Sequence, residues 1–148
     1  MKNASYYIEQ YFGFFLGFFA GSLTYFKGFV SWGINNILPE KSVDICFILF
    51  GFLLTVLALI VQGDNQTLKR LRSFEGYGRI IRFNRMVVIL STILGLYSLL
   101  ICTILEDNLP TTTNHILFST FLFLWLWLLW DFGVFIKVFY NIINVSSI

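Results

Sequence analysis

Asp131 sits alone in an apolar stretch that opens at Ile116 and runs to about Ile136. If a helix enters a bilayer at Ile116, Asp131 lies about 22 Å along it, at 1.5 Å per residue. A carboxylate near the middle of a membrane helix costs about 2.5–3.5 kcal/mol on insertion scales. Each Ile, Leu or Phe returns about 0.3–0.6 kcal/mol. The apolar run therefore tolerates the charge without requiring it. Its expected use is structural, in a pair with Arg85 or Lys137 near the inner surface. The alternative is a pore-lining or proton-sensitive carboxylate. Lys27 is the other charge inside an apolar run. Its long stem is expected to snorkel outward, toward Asp44 or Glu40.

The densest charge lies elsewhere. Lys69, Arg70, Arg72, Arg79, Arg82 and Arg85 fall within the segment 63–85. Leu68, Leu71 and Phe74 recur at helical spacing among the first three. Gly76-Tyr77-Gly78 reads as a turn, and the three later Arg follow at three-residue steps. Such a cluster sets topology by resting on anionic headgroups, each basic residue contributing about 1 kcal/mol near the surface. It also suits docking of an acidic cytoplasmic partner. Direct nucleic-acid binding is not expected, because the patch is small and held against the membrane.

Gly13, Gly17 and Gly21 stand four apart and form one small-residue face, with Gly28 seven further on. Ser91 and Gly95 repeat the pattern in shorter form. In lipid no hydrophobic drive pulls helices together, so close packing along small residues does. The face serves either packing within one subunit or a seam between subunits. Cys46 and Cys102 each lie near the outer end of an apolar run, and a disulfide needs them to touch in an oxidising compartment. His115 is the single histidine, with a surface role as its default, and no cluster with metal-ligand spacing accompanies it. No Ser-His-Asp set, H-E-x-x-H, phosphate-binding loop or paired carboxylates in a pocket are present. The chain reads as a non-enzyme with no metal and no cofactor.

The elements that must position these residues are helices in lipid. Hydrophobic residues make up 57% of the chain and charged residues 12%, about half the usual globular share. Four runs are nearly free of charge: Tyr11 to Val30, Ile45 to Gly63, Met86 to Leu105, and Ile116 to about Ile136. Each meets the roughly 20 residues that a hydrocarbon core of about 30 Å requires. Backbone groups in lipid must be satisfied within the segment, which selects helices. The expected fold is an all-α membrane protein with four transmembrane helices at about 11–31, 44–63, 86–105 and 116–137. The loops 33–44 and 106–115 hold Pro39 and Pro110. The first run continues well past Ser22, so a cleaved signal peptide is not expected. Lys and Arg crowd the 63–85 loop, while the other two loops hold one Lys between them. The positive-inside rule puts the basic loop, and with it both termini, in the cytoplasm. Trp32 then falls near the outer interface.

Residues Gly63, Leu68-Lys69-Arg70-Leu71-Arg72 and Phe74-Glu75-Gly76-Tyr77 resemble the small four-span phage-exclusion proteins of the RexB type. The resemblance covers about thirty residues and needs one insertion at or beside Glu75. It implies an ion-conducting membrane effector triggered by a soluble sensor. The membrane subunit of Kiwa defence systems, KwaA, is similar in span count and size only. It implies a membrane scaffold that holds a cytoplasmic partner.

These readings lead to one expectation. The chain is the membrane subunit of a bacterial anti-phage defence system, in the bacterial cytoplasmic membrane. It acts as a homo-oligomer, such as a tetramer, and engages a soluble cytoplasmic defence protein through Lys69 to Arg85. A partner-gated ion channel with Asp131 near its path is the first alternative. A small transporter or accessory subunit is the second.

Overall fold

A computed structural model describes residues 4–30, 37–62, 77–104 and 110–146, with side chains described within 8–141. Apart from Gly28 to Val30 and Pro110, the described chain is helical. Four helices run in order: α1 (Ala4–Lys27), α2 (Ile37–Gln62), α3 (Tyr77–Ile104) and α4 (Thr111–Ser146). Among them α2, α3 and α4 are long and apolar enough to cross a membrane. Helix α1 has 24 residues. Its Tyr, Gly, Glu9 and Lys27 dilute the Phe-rich face, and it falls outside that set.

The helix ends depart from the apolar runs for local reasons. The first run continues to Val30, but α1 stops at Lys27 because Gly28 takes a φ of 64°. Gly28 N–H donates to Tyr25 O at 3.2 Å and Phe29 N–H to Thr24 O at 3.1 Å. These are the paired reverse bonds of a Schellman cap, which favours Gly in the left-handed position. Gly28 is therefore a cap and not a continuation of the glycine face.

Pro39 lies inside α2, not in a loop. It occupies the first turn, where a missing N–H costs nothing. Helix α3 starts at Tyr77, so Gly78 belongs to its first turn instead of to a connecting turn. Helix α4 starts at Thr111, well before Ile116. The Pro110 carbonyl accepts the Asn114 N–H at 3.1 Å, which opens the helix and takes His115 into it.

The main contacts join α1 to α4, α4 to α3, and α3 to α2. The helices next to one another in sequence, α1 and α2, are not principal neighbours. The core lies along α3 and α4, where Leu94, Val87, Ile80, Leu128 and Phe121 are buried. Helix α2 adds a single narrow stripe, Ser42, Cys46, Leu53 and Ile60. Two polar ties cross the row. Trp125 Nε1 donates to Ser42 Oγ on α2 at 2.9 Å, and Arg79 of α3 reaches Glu9 of α1.

Candidate functional site

The glycine face of α1 is occupied by α4 of the same chain. A Cβ on Gly13 would lie 2.8 Å from Trp130 Cδ1 and 3.0 Å from Trp127 Cδ1. On Gly17 it would lie 2.5 Å from the Phe123 carbonyl oxygen, and on Gly21 2.9 Å from that of Ser119. Ser119 Oγ donates to Gly21 O across this seam. Aromatic rings close both flanks. Phe12 meets Trp130 at 4.4 Å, and Phe14 meets Trp127 at 5.2 Å and Phe123 at 5.5 Å. Each such pair contributes about 0.5–1.5 kcal/mol beyond its buried area. Of the two uses open to Gly13, Gly17 and Gly21, the geometry fits packing within one chain. Ser91 and Gly95 belong to the corresponding small face of α3. Both are buried, and a Cβ on Gly95 would stand 3.3 Å from Cys46 Cβ on α2.

At the opposite end from the Gly28 cap, three helices meet on Glu9. Arg79 of α3 binds one carboxylate oxygen, and Lys137 of α4 binds the other at 3.2 Å. Trp130 Nε1 donates to the Glu9 backbone carbonyl at 3.1 Å. The Glu9 side chain is 18% exposed and that of Arg79 39%. Bonds between ionised partners are roughly twice as strong as neutral ones. Arg79 thus acts as a strut between α3 and α1. Among the described members of the basic cluster, Arg82 and Arg85 are exposed. Lys69, Arg70 and Arg72, like Trp32, lie outside the described residues.

Asp131 is 2% exposed, on the face of α4 that packs against α3. Neither expected partner reaches it: Lys137 is turned to Glu9 and Arg85 faces outward. Its Oδ1 has no hydrogen bond. The antiparallel register sets which residue of α3 lies at its depth. Tyr97 Oη donates to Leu117 O at 3.1 Å, and Arg79 and Lys137 share Glu9. Between these fixed points, Asp131 comes level with Asn84. Asn84 is fully buried and donates from Nδ2 to Leu53 O of α2 at 3.2 Å. Its Oδ1 is also unbonded. Two unmet oxygens therefore lie at one depth in an otherwise apolar core.

No known family model matches this chain, and neither does any curated protein or solved structure.

The remaining polar residues settle into structural places. Lys27 does not extend to Asp44, which pairs with Lys41 at 3.8 Å one turn away. Instead Lys27 lines a groove of about 400 Å³ with Tyr25, Thr112 and His115. His115 covers the α1 cap: its Cε1 lies 3.2 Å from where a Cβ on Gly28 would be. Cys46 and Cys102 are free thiols. Cys46 packs opposite Gly95, two turns and about 10 Å along the axis from Cys102, beyond the reach of a disulfide. No cluster of three or more metal-ligating side chains occurs among the described residues.

The unmet Asp131 oxygen gives a clear expectation. An ionised carboxylate without full hydrogen bonding is costly to bury. Asp131→Asn should fold normally and gain about 1–2 kcal/mol, the scale of the penalty for an unsatisfied buried polar group. Thermal unfolding in detergent measures this. A loss of more than about 1 kcal/mol would reveal a partner that holds the charge.

Proposed function

We propose that this chain is an oligomeric membrane anchor or sensor whose basic cytoplasmic side recruits a soluble partner, as the membrane subunit of a bacterial anti-phage defence system. The defence assignment rests on the RexB-type resemblance around Gly63 to Tyr77. The docking role rests on one observation. Arg82 and Arg85 are exposed at the start of α3, next in sequence to the basic Lys69, Arg70 and Arg72, while Arg79 is turned to Glu9.

In this reading the chain crosses the bacterial inner membrane four times, with both termini inside. Helix α1 is the fourth span because it lies along α4 from Glu9 beside Lys137 to Gly28 beside His115. Where α4 is immersed, α1 is immersed with it. Its 24 residues cover about 36 Å, enough for a core of about 30 Å. The distribution of Lys and Arg sets the orientation.

Arg82→Glu combined with Arg85→Glu tests the docking surface without touching the Glu9 contact. Opposite charge on two exposed positions should cut recovery of the soluble partner at least about tenfold, since like-charge juxtaposition at an interface costs several kcal/mol. Membrane yield should not change. Undiminished recovery of the partner sinks the docking role.

The second reading is a partner-gated ion-permeable effector, favoured by the unmet oxygens of Asp131 and Asn84. A row of four helices encloses no aqueous lumen, so conduction requires several copies.

A further inference from the structure

Beside the Glu9 contact, a groove of about 350 Å³ opens between α1 and α4. Ile8, Leu129, Val134 and Trp130 form its walls, and Gly133 forms its floor. A Cβ on Gly133 would meet nothing within 4 Å, so the groove exists because that position carries no side chain. Lys137 stands at its mouth with its side chain 64% exposed. One carboxylate, Glu9, faces two cations there, Arg79 and Lys137. Lys137, bound to one Glu9 oxygen and largely exposed, has ammonium donors to spare. Tyr140, one turn on, is exposed. Amphipathic rings such as those of Trp130 and Tyr140 are enriched at headgroup level.

An apolar channel open toward lipid, with an exposed ammonium and aromatic rings at its rim, matches one ligand chemistry. We propose that this groove binds an anionic phospholipid, with the phosphate at Lys137 and one acyl chain laid over Gly133. Basic pockets between membrane helices hold anionic headgroups in the same manner. The inference goes beyond partner docking and depends only on α4 lying in a bilayer. The bound lipid would extend the contact between α1 and α4 at the end where the glycine face stops.

Native mass spectrometry of the detergent-purified full chain tests it, with phosphatidylglycerol and phosphatidylcholine of the same chain length as probes. The wild type should retain phosphatidylglycerol about fivefold over phosphatidylcholine, the ratio expected from one basic residue at the surface. Lys137→Gln should bring the two lipids to parity. Gly133→Leu should remove retention of both, whereas Gly51→Leu, at an equally open glycine on α2, should change nothing. Parity in the wild type overturns the proposal. So does a preference that survives Gly133→Leu, which would assign it to the exposed Arg82 and Arg85. A measurement without any change in the groove's floor stands beside these. Brominated phosphatidylglycerol should quench Trp emission more than brominated phosphatidylcholine, and Trp130→Phe should abolish the excess. An excess unchanged by Trp130→Phe overturns the proposal equally.

Discussion

Gly17→Leu should detach α1 from the rest of the protein. A Cβ at that position would stand 2.5 Å from the Phe123 carbonyl oxygen and 3.0 Å from its ring. The first contact is with backbone, which cannot rotate away as a side-chain tip can. Overpacking in a core typically costs about 1–3 kcal/mol, and more when backbone must shift. Here the shift separates two helices along their length, so the flanking contacts of Phe12 and Phe14 with Trp130, Trp127 and Phe123 are lost too. A loss of at least about 3 kcal/mol is expected. It should appear as a collapsed monodisperse peak and a lowered melting temperature in detergent. Even Gly17→Ala should be measurably destabilised. Gly51→Ala, with open space around it, should instead gain up to about 1 kcal/mol from helix propensity. Equal stability of Gly17→Leu and wild type would show that α1 does not lie on α4.

The second large effect is expected at Glu9. Glu9→Ala leaves Arg79 and Lys137 together without their shared anion. Exposed ion pairs contribute about 0–1 kcal/mol, and breaking a buried one costs about 3–5 kcal/mol. Glu9 lies between these limits but holds two cations at once, so a loss of about 2–3 kcal/mol is expected. Reversal distinguishes a specific contact from general sensitivity. Glu9→Arg should be worse than Glu9→Ala, and adding Arg79→Glu should recover a substantial part of the loss. Purely additive melting temperatures across that cycle would rule out the Glu9–Arg79 contact.

The elements were largely legible in the sequence, and their neighbours were not. Charge-free runs located four helices because lipid tolerates little else. They could not locate helix ends, which depend on single caps: Gly28 ends α1 early, and Pro110 starts α4 early. The four-residue spacing of Gly13, Gly17 and Gly21 announced a close approach, but the approaching surface gives no matching signal. Ser119, Phe123, Trp127 and Trp130 include bulky residues that read as ordinary apolar filling. Glu9 lies just before the first apolar run, where nothing in the spacing singles it out. Its role was deducible from alternation of the spans, which brings the start of α1, the start of α3 and the end of α4 to one side. Asp131 was readable as a buried charge, yet its surroundings were not. One position separates buried Asn84 from exposed Arg85, and only the rotation of α3 decides which of them is buried.

The pairing of the first helix with the last sets the order of events during synthesis. Helices α2 and α3 find each other as soon as both are made. The α1 groove must wait for Ser119, which follows Gly21 by 98 residues. At ribosomal speeds of about 5–20 residues per second, that delay is about 5–20 s. Throughout it, the glycine face of α1 has no α4 to fill it. The emerging α4 is the stopper that ends the wait, so α1 finds its place only after α2 and α3 have found theirs.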